Sequence, residues 1–132
     1  MADSGRLAVL SEKDVVLARQ AARQVAVAGG LRLVDQTKLI TAASELARNA
    51  VVYGGGGYMQ WDIVHNGTRR GVRLEFVDEG PGIPDIAQAL TDGWTSGNGM
   101  GLGLSGSRRL VDVFELESEP GRGTRVAITK WA

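Results

Sequence analysis

The stretch Val72-Arg73-Leu74-Glu75-Phe76-Val77-Asp78-Glu79-Gly80-Pro81-Gly82-Ile83 decides the fold of this chain. Side chains alternate between the two faces of an extended strand, so Val72, Leu74 and Phe76 share one side and Asp78 continues it. The strand predicted over 70 to 78 therefore points a carboxylate toward an apolar interior, which is costly unless something donates to it. Gly80 and Gly82 in the following turn let a ligand approach the backbone, and an adenine amino group would satisfy Asp78. An isolated Asp-x-Gly also simply ends a strand and starts a turn, so its neighbourhood has to decide.

Upstream, Asn66-Gly67-Thr68 is a hairpin turn that pairs this strand with another alternating run over 58 to 65. Before it, Leu39, Ile40, Ala43, Leu46, Ala47, Ala50 and Val51 recur at helical spacing, with Asp35 expected as N-cap. Glu45 and Asn49 stand four apart on that helix, so they stack beside its apolar stripe. Asn49 offers a carbonyl oxygen to Mg²⁺, and an ionised Glu45 can take a proton from an attacking hydroxyl. Seen alone, the pair is equally a polar helix edge. A first strand over 6 to 10 and a helix opened by Ser11-x-x-Asp14 and stopped at Gly29-Gly30 complete the N-terminal part. Gly54 to Gly57 reads as a flexible connection, with Tyr53 at the pocket edge.

Downstream, a loop with Pro81 and Pro84 and a short helix near 85 to 91 precede Gly97-Asn98-Gly99-Met100-Gly101-Leu102-Gly103-Leu104. Those glycines free backbone amides to face a polyphosphate at the start of a helix over 103 to 111. Gly101-x-Gly103-x-x-Gly106 matches a dinucleotide fingerprint but follows a polar stretch instead of a buried strand, and no Gly-x-x-x-x-Gly-Lys motif is present. Strands over 112 to 118 and 124 to 130, joined at Glu119-Pro120-Gly121-Arg122-Gly123, end the chain. The order predicts an α+β two-layer sandwich, a mixed, mostly antiparallel sheet with helices on one face, in one domain over 1 to 132. Trp61 and Phe76 are expected in its core, and His65 in a turn.

Fifteen basic and fifteen acidic residues cancel, so no broad positive field favours nucleic acid. The four apolar residues after Arg6 are too few for a signal peptide or membrane span, and the expected location is the cytoplasm, with no membrane partner. With no cysteine and one histidine, neither a disulfide nor a thiolate or His-rich metal site can form, so a metal must arrive with a ligand. The 19 glycines punctuate periodic apolar segments, which is unlike a disordered chain.

Taken in order, Glu45-Leu-Ala-Arg-Asn49, Asp78-Glu-Gly-Pro-Gly-Ile83, Gly99-Met-Gly-Leu-Gly-Leu104 and Gly121-Arg-Gly-Thr124 resemble the four boxes of the Bergerat-fold (GHKL) family of gyrase, heat-shock chaperone ATPases, histidine kinases and MutL. The short lid with Gly93-Trp94-Thr95-Ser96, the free-standing length and the ending Thr129-Lys130-Trp131 are most similar to the anti-sigma-factor serine/threonine kinases, of the RsbT switch-kinase type of the stressosome. This resemblance implies ATP and Mg²⁺ under a mobile lid, with Glu45 as catalytic base and Asn49 as metal ligand. It implies Asp78 as adenine anchor, and Gly80, Gly82, Ile83, Gly99, Met100, Gly101, Leu102, Gly103 and Thr124 around the nucleotide. It further implies a STAS-domain substrate of the RsbS or RsbR kind, in a partner-switching stress-response pathway where a PP2C-type phosphatase or a sigma factor competes. Residues 93 to 104 lack the arginine that some of these kinases carry in the lid, leaving Arg48, Arg108 and Arg109 as candidates for phosphate charge. Two rivals share the boxes: a sensor histidine kinase, for which the 34 residues before the second helix are too short a phosphoacceptor segment, and a gyrase-like ATPase, which needs further domains. A third is an ATP-gated binding module that sequesters a sigma factor with little kinase activity, which the presence of Glu45 disfavours.

Overall fold

The computed structural model describes residues 2 to 83, residue 90 and residues 103 to 132. In chain order these form β1 (Ser4–Val9), α1 (Glu12–Ala28), α2 (Leu33–Val52), β2 (Gly57–Asn66), β3 (Arg69–Asp78), α3 (Leu104–Leu110), β4 (Val113–Ser118) and β5 (Thr124–Trp131). The strands make one sheet ordered β1-β2-β3-β5-β4. Each of its four ladders is antiparallel, so among the described residues the sheet has no parallel pair. The short helix expected near 85 to 91 and the glycine run before Gly103 lie outside the described residues, apart from Leu90, which packs against the core.

The alternation read from β3 is the alternation observed. Val72, Leu74 and Phe76 are buried beneath the helices, with Met59 on β2 and Val126 and Ile128 on β5 beside them. Alanine dominates the seam between the helices: Ala18, Ala22 and Ala26 of α1 and Ala42, Ala43 and Ala47 of α2 are all fully buried. Small side chains let the two backbones approach, and Leu39 and Leu46 fill the remaining depth toward the sheet. Trp61 lies at the margin of this core, partly buried, its indole occupying the place a side chain at Gly5 would need. His65 is exposed near the end of β2. On the outer face of the sheet, Glu75 accepts from Arg73 at 3.2 Å and from Arg125 at 2.9 Å, and Arg125 reaches Glu117 at 3.4 Å.

Two helix starts differ from expectation. Ser11 is the N-cap of α1 but makes no side-chain cap bond; the Asp14 carboxylate instead accepts the Leu10 N–H at 2.9 Å. Asp35 is not the N-cap of α2, because the helix begins earlier, with Arg32 in the cap position. Gln36 fixes that start: its N–H donates to the Arg32 carbonyl and its side-chain amide to the Leu31 carbonyl, both at 2.8 Å. Asp35 thereby falls in the first turn, where a carboxylate suits the positive helix end, and reaches Lys130 at 3.5 Å. Among the described residues, no helix is long and apolar enough to cross a membrane.

Leu39 is fully buried between the helix seam and the sheet. Leu39→Ala is expected to lower the unfolding free energy by about 2–5 kcal/mol, read as a lower denaturation midpoint in urea.

Candidate active site

The site gathers where α2, the end of β3, the start of β5 and the start of α3 meet. Asp78 closes β3 with its carboxylate on the helix-facing side, half-buried. The Gly80 N–H donates to its Oδ1 at 2.9 Å, and the Thr124 N–H donates as well. Burial raises the pKa of this group above its ordinary 3.8, and the two amide bonds offset only part of that rise. Asp78 and Thr124 sit opposite each other across the β3–β5 ladder, so sheet register brings the Thr124 amide to the carboxylate. A half-buried carboxylate, acceptor-only when ionised and with unused lone pairs, suits a ligand that brings an N–H donor.

Thr124 has an orienting partner that sequence reading missed. Ser118 Oγ lies 2.9 Å from Thr124 Oγ1 and 3.1 Å from the Gly123 carbonyl, and accepts the Ile83 N–H at 2.7 Å. The Ser118 proton can go to the Gly123 carbonyl or to Thr124 Oγ1, and in either case the two hydroxyls are hydrogen-bonded. The Thr124 hydroxyl is thereby held in one orientation, with lone pairs to offer a ligand. One serine thus ties Ile83, Gly123 and Thr124 into one frame. The signal for it was available: Phe114, Leu116 and Ser118 share the inward side of β4 by the same period of two that singles out Asp78.

The glycines called out from sequence are held close to the protein's own atoms. A Cβ on Gly80 would stand 2.5 Å from Gly54 Cα, one on Gly82 would strike the Glu119 carbonyl, and one on Gly123 the Asp78 carbonyl. Gly82 and Gly123 also have φ of 78° and 82°, which side chains rarely adopt. Gly103 is the N-cap of α3 at φ 63°, and a Cβ there would lie 2.8 Å from Glu45 Oε2. The carboxylate of Glu45 is therefore packed against the last glycine of the expected phosphate loop. Asn49 follows one turn later on α2, half-buried, its carbonyl accepting the Tyr53 N–H at 2.9 Å. Gly99, Met100, Gly101 and Leu102 lie outside the described residues.

The three candidate arginines are not gathered on this point. Arg48 is exposed and paired with Glu12 at 3.9 Å, while Arg108 and Arg109 occupy the last turn of α3, away from Gly103. A cleft of about 260 Å³ opens beside Asp78 at the sheet end, but its walls include Val77, Glu117 and Arg125 from the outer face, and neither Glu45 nor Asn49. On the helix side, Gly103 packs against Glu45 and Gly54 against Asp78, so the start of α3 and the end of β3 both meet the α2 region.

Residues 34 to 131 match the family described as histidine kinase-, DNA gyrase B- and HSP90-like ATPases. Over 131 residues the chain is 41% identical to the serine/threonine-protein kinase RsbT of Bacillus subtilis, covering 99% of this chain and 98% of that one. Over 123 residues it is 30% identical to the anti-sigma F factor of Clostridium beijerinckii, covering 84% and 85%. Its fold superposes on the RsbU and RsbW domains of a Mycobacterium tuberculosis protein with a TM-score of 0.65 at 19% identity, over 96% of this chain and 32% of that one. It also superposes on the catalytic domain of the histidine kinase ThkA with a TM-score of 0.53 at 14% identity, over 96% and 95%. The order of the boxes, the antiparallel sheet and these likenesses agree: the chain belongs to the histidine kinase-, gyrase- and HSP90-like ATPase family and is, within it, a serine/threonine-protein kinase of the anti-sigma-factor type, similar to RsbT.

Proposed function

We propose that this single domain transfers the γ-phosphoryl group of Mg²⁺-ATP to a serine or threonine of a STAS-domain protein, as the kinase arm of a partner-switching pathway. The observation that carries this reading is the half-buried Asp78 carboxylate, fixed by two backbone amides at the open end of the sheet across from Glu45 and Asn49 on α2. Asp78 accepts from the adenine amino group, and Thr124, held by Ser118, adds an acceptor beside it. Gly80, Gly82 and Ile83 form the wall of the base, and Gly99, Met100, Gly101, Leu102 and Gly103 give backbone amides to the phosphates.

Among the described residues no cluster of three or more His, Cys, Asp or Glu side chains could hold a metal. Asn49 supplies one oxygen, which fits Mg²⁺ arriving on the nucleotide with phosphate and water oxygens completing its shell. The ion's contribution there is to neutralise phosphate charge. Glu45 accepts the proton as the partner's hydroxyl oxygen bonds to the γ-phosphorus and the bond to the β–γ bridging oxygen breaks, leaving ADP. The partner is recognised in the cytoplasm by a docked interface of mixed polarity, since near-zero net charge gives little long-range steering. A PP2C-type phosphatase or a sigma factor is the expected competitor for that interface. Incubation with labelled ATP, Mg²⁺ and STAS-domain proteins of the same genome should label a serine or threonine of one of them; a partner that binds and is never labelled would point to the sequestering module.

Glu45→Ala is expected to keep Mg²⁺-ATP and partner binding while transfer falls about 10²- to 10⁴-fold. Asn49→Ala should differ by losing the Mg²⁺-dependent part of nucleotide affinity, measured calorimetrically with and without the ion.

Asp78→Asn should weaken ATP binding about 10- to 100-fold, the cost of presenting a donor where an acceptor is needed. Its effect on the unliganded protein has the opposite sign. With a folded pKa above the unfolded one, Asp78 favours the fold most at acid pH and loses that contribution as pH rises through the raised value. Nucleotide-free Asp78→Asn should therefore be at least as heat-stable as wild type at pH 7, with the gap closing toward pH 4. Wild-type ATP affinity should drop over that same acid range as the carboxylate protonates.

A further inference from the structure

We propose that Gly54, which joins α2 to the loop before β2, is a positioning residue that sets the distance between the adenine anchor and the catalytic helix. This inference rests on Asp78 being that anchor. Gly54 follows the α2 C-cap Tyr53, and its N–H donates to the Asn49 carbonyl at 3.2 Å. The left-handed residues of this loop are Gly55 at φ 72° and Gly56 at φ 109°, and Gly54 is not among them. Its backbone would accept any side chain. What excludes one is Asp78: a Cβ on Gly54 would lie 2.5 Å from Asp78 Cβ and 2.7 Å from Oδ1, and nearer still to Cγ.

Rotating the aspartate cannot relieve this overlap. A turn about its side-chain bonds moves Cγ and the oxygens but leaves Cβ where β3 places it. From the other side, the Gly80 turn presses on Gly54, with 2.5 Å from a Gly80 Cβ to Gly54 Cα, while the 2.9 Å bond from Gly80 N–H to Asp78 holds that turn down. The end of α2 is thus seated directly on the anchor. Glu45 and Asn49 belong to the same helix, so the seat fixes how far the proton acceptor and metal ligand stand from the base pocket. A methyl at 54 must therefore part the end of α2 from β3, moving the anchor relative to Glu45 and Asn49.

Gly54→Ala should raise the KM and Kd for Mg²⁺-ATP at least tenfold, with a smaller change in kcat at saturating ATP. Gly55→Ala is the control: it strains a left-handed residue of the same loop but meets nothing within 4 Å, and should leave the KM within about threefold of wild type. Equal KM increases in the two variants, or wild-type affinity in Gly54→Ala, would overturn the proposal. Asp78→Asn measured alongside separates the premises: if it keeps ATP affinity, the anchor reading fails, whereas if it alone loses affinity, only the role of Gly54 fails. Should Gly54→Ala fold poorly, its denaturation midpoint is compared in wild-type and Asp78→Gly backgrounds without nucleotide. The cost should largely vanish when the aspartate side chain is absent, and an undiminished cost there would refute the contact.

Discussion

The loops around the end of β3 are arranged about one carboxylate that a water-filled surface would not have constrained. Asp78 loses hydration at the inward end of β3 and recovers part of the cost from the Gly80 and Thr124 amides. Each donor imposes a condition on the chain that supplies it. The Thr124 amide requires the β3–β5 register, and the Gly80 amide requires a tight turn straight after the strand. The turn can be that tight only because Gly80 and Gly54 lack side chains, and the β4–β5 loop can close over Asp78 only because Gly123 does. Three of the 19 glycines are thus the imprint of one partly desolvated group on three neighbouring loops.

The inward direction of Asp78 was legible because period-two alternation on β3 is unbroken from Val72 through Phe76. Glu45 and Asn49 were legible as a pair because helical spacing alone puts them one turn apart. The same alternation rule on Phe114 and Leu116 would have found Ser118, whose hydroxyl was invisible only because no glycine motif drew attention to it. Gly54 was not legible at all. Its local sequence reads as a flexible connection, and the reason for its lack of a side chain lies on a strand 24 residues further on. The start of α2 was misplaced because a favourable capping residue, Asp35, competes with the Gln36 bonds to Leu31 and Arg32, and two hydrogen bonds outweigh one propensity.

The helix seam gives this arrangement its stiffness. Six fully buried alanines on the two packed helices leave little room for one helix to slide on the other without opening voids, and close-packed interiors resist that. α2 meets Gly103 through Glu45, and Gly54 just past its end meets Asp78, contacts about 13 Å apart at the helical rise. A rigid α2 therefore relates these two contacts mechanically, so that the geometry of one is carried to the other without an intervening hinge.

The β2–β3 hairpin has the opposite character. Its Gly67 sits at φ 64° with nothing within 4 Å of where a side chain would project, at the far end of β3 from Asp78. The strand between them spans about 30 Å. This turn is therefore a natural attachment point: a dye, an affinity handle or a whole inserted reporter placed there would ride on a ten-residue strand pair while staying clear of Asp78 and the loops around it.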